Sequence, residues 1–246
     1  MSSNAKSFLN KLKDLNDSNT VTVKVPSTGK DVEFKLASVI QQKDLIRTAF
    51  DGLDGVITRA VAINKIITDN ANSEEAILTI NVPGIMIALR KASIGSKIKV
   101  KEEDYDLDKV QPIKKSDVKL KQTVEHDDIK VDLKVPTLAI DSEVAKKLAK
   151  EFAKFETMDD KLKQSIDIVV SYESAKYVDA ITVGEEVIKF ADISVHERKD
   201  IINHLPLTLN NKIVDYIGSI KEVVDKALTV AEEVVVEIDA SFLSTD

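Results

Sequence analysis

This chain contains no cysteine and no tryptophan, and aromatic residues make up only 4% of its 246 positions. The missing cysteine excludes disulfides, thiolate nucleophiles and cysteine-ligated zinc, and it agrees with folding in a reducing compartment. The scarcity of aromatic rings argues against a platform on which nucleobases stack. A formal net charge of -7 points the same way, because free nucleic acid is drawn to basic surfaces. Long apolar runs are missing too: none approaches the roughly 18 residues that suggest a membrane span. The opening MSSNAKSFLNKLKDLNDSNT lacks the apolar centre of a secretory signal, so an intracellular site of folding is expected. What remains, 43% hydrophobic and 31% charged residues, is a globular mixture with enough chain to build a real core.

Periodicity divides the chain into four stretches. Residues 1–19 are expected to form an arm, in which SFLNKLKDL makes a short amphipathic helix presenting Phe8, Leu9, Leu12 and Leu15. That stripe either fills a groove on a neighbour or folds back on the chain's own core. Residues 20–103 read as a hairpin followed by helices. Val21, Val23 and Val25 alternate on one side of the turn PSTGK, and Val32, Phe34 and Leu36 on the other. From Ser38 the period becomes helical, with helices predicted over SVIQQKDLIRTAFDG, DGVITRAVAINKIITDN and roughly Asn81 to Ala92, where Pro83 suits a first turn. Residues 104–140 form a charged excursion and a strand, DDIKVDLKVPTL. Residues 141–246 are mainly helical. Asp141 is expected to cap a helix starting near Ser142, Ser194 and Glu197 form a capping box, a small hairpin turns at Gly184, and EEVVVEIDASFL closes as a strand. The fold class is therefore α+β: an N-terminal hairpin with helices, central strands, and a mostly helical C-terminal region ending in a strand.

The segment RKASIGSKIKV raises the question of an anion site. A phosphate loop needs a strand before its glycines, a helix after them and GxxxxGK[ST] spacing, and here the order is reversed. Arg90 and Lys91 instead sit in the last turn of a helix, where cations complement its dipole, and Gly95 suits the residue past its end. Lys97 and Lys99 then alternate along a strand, so Arg90, Lys97 and Lys99 could also form a basic edge that meets an acidic protein.

Catalytic patterns are sparse. His196 and His204 lie eight apart, too far for a helical metal pair, and His126 sits in the acidic turn VEHDDIK, where a solvated role is expected. The acid pairs Asp159/Asp160, Glu185/Glu186 and Glu232/Glu233 could serve a hydrolase or transferase only if burial separated their pKa values, and they fall in turns or at strand starts. Neither HExxH nor GxSxG occurs. The residues favour a binding or structural protein without metal, cofactor or small-molecule substrate.

Several segments, taken in order, resemble the baseplate protein family of T-even-like contractile-tailed bacteriophages. VPSTGKDVEFKLASVIQQKDLIRTA is similar to that family's first hairpin and helix, LRKASIGSKIKV to its helix exit into a strand, and VDLKVPTL to a later strand end. FADISVHERKDIINHLPLTLNNKIVDYI looks like its late helical pair, and EIDASFL like its final strand, so the resemblance covers about residues 20–243. It implies a non-enzymatic baseplate component or hub-assembly factor, made in the host cytoplasm and carried in the tail baseplate, whose partners are other phage tail or baseplate proteins. A transient tail-assembly chaperone absent from the mature virion is the alternative. Two departures stand out: the Cys-x-x-Cys pairs of many relatives are missing from LTVAEEVVVEIDASFL, which removes any expectation of zinc, and Ser96 replaces a glutamate at the helix exit.

Overall fold

A computed structural model describes residues 3–155 and 158–244, and mixes helices with antiparallel strands in an α+β arrangement. The helix α1, Ser3–Ser18, leads through Asn19 into the hairpin of β1, Thr20–Lys24, and β2, Asp31–Lys35. Val21 pairs with Phe34 and Val23 with Val32, so the alternation read from the sequence puts one apolar face on the core, where Phe34 is fully buried. The hairpin turn is pinned from below: Asn81 accepts from the Ser27 N–H at 3.0 Å and donates to its hydroxyl at 2.8 Å.

Three helices complete this first layer: α2, Val39–Arg47, α3, Gly55–Asn70, and α4, Val82–Ser93. Ser38 and Gln41 form a reciprocal capping box at the start of α2. At Gly55 a Cβ would lie 2.5 Å from the Thr48 carbonyl oxygen, so only glycine lets α3 start that close to the preceding turn. Leu45, Ile66, Ile67, Ile85, Met86 and Leu89 meet beneath the hairpin. Each large aliphatic chain buried there contributes roughly 1.5–3 kcal/mol.

The charged excursion holds more strand than its composition suggests. After α4 a two-stranded ribbon pairs β3, Lys97–Val100, with β4, Glu103–Asp106, across a turn in which Lys101 and Glu102 both take positive φ. β5, Lys121–His126, then opens an antiparallel sheet completed by β6, Ile129–Lys134, β7, Val178–Val183, and β8, Glu186–Lys189, in that spatial order. Two helices, α5, Leu138–Phe152, and α6, Met158–Tyr177, are inserted between β6 and β7. α7, Val195–Asn203, and α8, Leu207–Lys226, follow β8. The inner sheet residues Val124, Val131, Leu133 and Ile181 pack with Leu209, Ile213, Tyr216 and Ile220 of α8 in a second core.

Asp141 does not cap its helix. Thr137, directly after Pro136, is the N-cap and accepts from the Ile140 N–H at 3.3 Å, so α5 starts at Leu138 and Asp141 lies one turn inside. The late strand is likewise shorter than its alternation suggests. β9, Thr229–Ala231, pairs with β10, Val234–Val235, and the chain leaves this pairing after one more bond, from the Val236 N–H to the Leu228 carbonyl at 2.8 Å. Val236, Phe242 and Leu243 turn back into the first core, because burying three large apolar side chains there outweighs two more ladder positions.

Candidate docking surfaces

α1 carries its apolar residues on one face, Phe8, Leu9, Leu12 and Leu15, and that face is open: Phe8 and Leu15 are each 62% exposed. Of the two fates open to the stripe, folding back on the core is not what the structure holds. At 100° per residue, Lys11 borders one flank of the stripe and Lys13 the other, with Lys6 and Asp17 side by side beyond Lys13 and Asp14 behind. The base of the helix is fixed. Asp17 pairs with Lys35 at 2.9 Å, and Leu36 N–H donates to the Asn19 carbonyl at 3.0 Å.

The basic edge divides into two environments. Arg90 is only 3% exposed, so it is not part of a surface edge. Its guanidinium donates to the carbonyls of Phe242, Ser244 at 3.1 Å and Lys97 at 2.6 Å, and stands 5.7 Å from the Phe242 ring centroid. The partners of this arginine lie seven positions beyond it and more than 150 positions beyond it, which local pattern does not reveal. Lys97 and Lys99 are exposed, but the ribbon answers them: Lys97 meets Asp106 of β4 at 2.7 Å and Lys99 meets Glu102 of the turn at 3.6 Å. The Lys97 ammonium holds the Asp106 carboxyl well below the usual carboxylate range, helped by the Asp108 N–H and the Ser96 side chain. A positive field for steering is thus largely cancelled within the ribbon.

A buried polar network went unread in the sequence. Lys176 of α6 contacts Asp141 at 2.6 Å and Glu173 at 2.7 Å, and Asn64 of α3 donates to the other Asp141 oxygen at 2.7 Å and to Ser142 at 3.1 Å. Burial alone would depress the Lys176 pKa, but Glu173 and Asp141 outweigh it and hold the ammonium above the ordinary lysine value. Fixed charges of both signs, each already bonded, tie three helices together; a proton shuttle would need a partner left free to exchange. A groove of about 910 Å³ nearby, between α3, α5 and the start of α7, is lined by Lys65, Lys146, Lys147 and Lys150 with Asp69 and Glu143.

The remaining titratable candidates are scattered. His126, His196 and His204 face their own turns and helix, at 3.6 Å from Asp127, 3.5 Å from Asp200 and 2.7 Å from the Asp200 carbonyl respectively. Glu185 and Glu186 are exposed at the β7–β8 turn, and Glu232 and Glu233 at the turn between β9 and β10. The side chains of Asp159 and Asp160 lie outside the described residues. Among the described residues no group of three or more His, Cys, Asp or Glu side chains is placed to hold a metal ion.

These surfaces sit on a chain whose residues 18–233 match a family model described as T4 bacteriophage base plate protein. The chain belongs to that family. Comparison with curated proteins and with solved structures gave no match. The match includes the hairpin, the sheet and the late helices of this baseplate protein, while α1 precedes all but its first residue and the returning segment 236–244 follows it. Among the described residues no helix of the baseplate protein is long and apolar enough to cross a membrane.

Proposed function

We propose that this baseplate protein is a non-enzymatic component or hub-assembly factor of a contractile tail, working through contacts with other tail or baseplate proteins. The observation that carries this reading is α1: a helix fixed at its base to β2, whose four large apolar side chains stay exposed. Exposing such a stripe is unfavourable in water, and a partner that covers it recovers the burial energy. Lysines on both flanks favour a partner groove with an acidic rim. The ribbon lysines Lys97 and Lys99 are a weaker second contact, since their charge is matched within the chain.

A chain beginning at Thr20 tests the assignment. It is expected to fold cooperatively and to fail to enter baseplate intermediates; full incorporation without the arm refutes α1 as the docking element. Quantifying the protein in purified particles then separates two roles. A fixed copy number matching tail symmetry supports a structural subunit, and presence only in infected-cell lysate supports a chaperone that leaves before maturation.

A further inference from the structure

The inner face of the four-stranded sheet runs out at β8. Val124 pairs with Val131, Val131 with Ile181 and Ile181 with Ile188, so one apolar row crosses all four strands. The first three are buried, and Ile188 is 44% exposed. Beside it, the last turn of α7 leaves a groove of about 370 Å³ with an aliphatic floor of Ile129, Ile181, Val183, Ile201 and Leu205. Its rim carries the exposed acid Glu186 and His204, and also Asp200, which stands 3.5 Å from His196 and 3.9 Å from Lys199.

We propose that the arm α1 of one copy docks in this groove of a second copy, so that the chains associate head to tail. The inference rests on the reading of α1 as a docking element and names its partner. Charge complementarity selects the pairing: the stripe is apolar between lysines, and the apolar groove is rimmed by Glu186 on one side and by Asp200, shared with Lys199, on the other. The arm does not serve its own groove, because a single residue, Asn19, joins it to β1, and the contacts of Asp17 with Lys35 and of Asn19 with Leu36 leave it no spacer on which to swing. Area sets the form of the assembly. One face of a 16-residue helix covers roughly half of the ~800 Å² that each partner gives to a standard interface, so a single contact is weak. A closed ring, in which every copy gives one arm and receives another, makes two such contacts per subunit and outcompetes open pairs.

Sedimentation velocity on the full chain, from micromolar to about 100 µM, tests this with two charge-reversed variants. One carries Lys11→Glu and Lys13→Glu on the arm, the other Glu186→Lys and Asp200→Lys on the groove. The native chain is expected to associate with increasing concentration and to dissociate at high salt. Each variant alone is expected to weaken association at least tenfold, since acid then faces acid or base faces base, and an equimolar mixture is expected to restore it through alternating copies. Leu12→Asp, outside both cores, is expected to remain folded and monomeric. Association that survives Leu12→Asp, or a mixture no better than its components, overturns the proposal, as does a native chain that stays monomeric throughout. If the monomeric chain still needs its arm to enter baseplate intermediates, the docking reading stands and only the second copy is excluded as partner. If the arm is dispensable for both, both fall.

Discussion

Arg90 and Phe242 are bound twice over, by a hydrogen bond from the guanidinium to the backbone carbonyl and by its position 5.7 Å from the ring centroid, across 152 positions of sequence. The arginine thereby fixes the returning segment to α4, and Gln42 fixes it to α2 through the Leu243 carbonyl at 2.8 Å.

Arg90→Met keeps much of the side-chain bulk but leaves buried carbonyls without a donor. The expected cost is about 2–4 kcal/mol, since each abandoned buried acceptor costs roughly 1–3 kcal/mol. Urea unfolding reads it directly. A loss below about 0.5 kcal/mol would mean that water replaces the guanidinium easily.

Lys176→Met should be more severe, about 3–5 kcal/mol, because it strands the Asp141 carboxylate beside α6. Adding Asp141→Asn to it is expected to recover part of that loss. A double variant no more stable than the single one contradicts the coupling.

Stability is expected to fall steeply in alkali. Burial pushes the Tyr177 phenol up to about 12 and raises the Tyr216 phenol, and Lys176 is also held above its ordinary value. Each group has a folded pKa above its unfolded one. Its contribution is therefore complete below about pH 10 and lost as the pH climbs toward the folded value, by up to about 1.4 kcal/mol per pH unit and group. Chemical unfolding at pH 8, 10 and 11 should show the decline, and Tyr177→Phe should make it shallower.

Gly95 has φ of +110°, and a Cβ there meets nothing within 4 Å, so Gly95→Val isolates backbone strain. A loss of about 1–2 kcal/mol is expected. Lys97→Ser and Lys99→Ser, at exposed ion pairs, should each leave the melting temperature nearly unchanged. The reverse ranking in thermal melts would mean that the ribbon charges, and not the turn, hold this junction.

Local signals made the helix-to-strand junction legible: Gly95, the basic last turn and the alternation of Lys97 to Val100 are all neighbours in sequence. The first hairpin and the capping boxes at Ser38 and Ser194 were legible for the same reason. β4 and β5 were not, because each buries too little for an apolar alternation to show: EDYD has no fully buried residue, and KQTVEH has only Val124. Asp141 looked like a cap because Asp is a common one, yet its partner Lys176 is 35 positions away. Of the docking surfaces, the stripe of α1 could be read from spacing, whereas the groove beside β8 arises only when Ile129, Ile188 and Ile201 are brought together by the sheet.

The returning segment also fixes the order in which the molecule can be finished during synthesis. Phe242 and Leu243 join a core that also holds Phe34, Leu45 and Leu89, all translated long before, and Gln42 waits 201 positions for Leu243. Until then an apolar cleft in the nascent hairpin-and-helix layer has no native cover. That interval, some ten seconds or more at ordinary ribosome speeds of about 5–20 residues per second, is when a holdase or a premature neighbour has its best access to this layer.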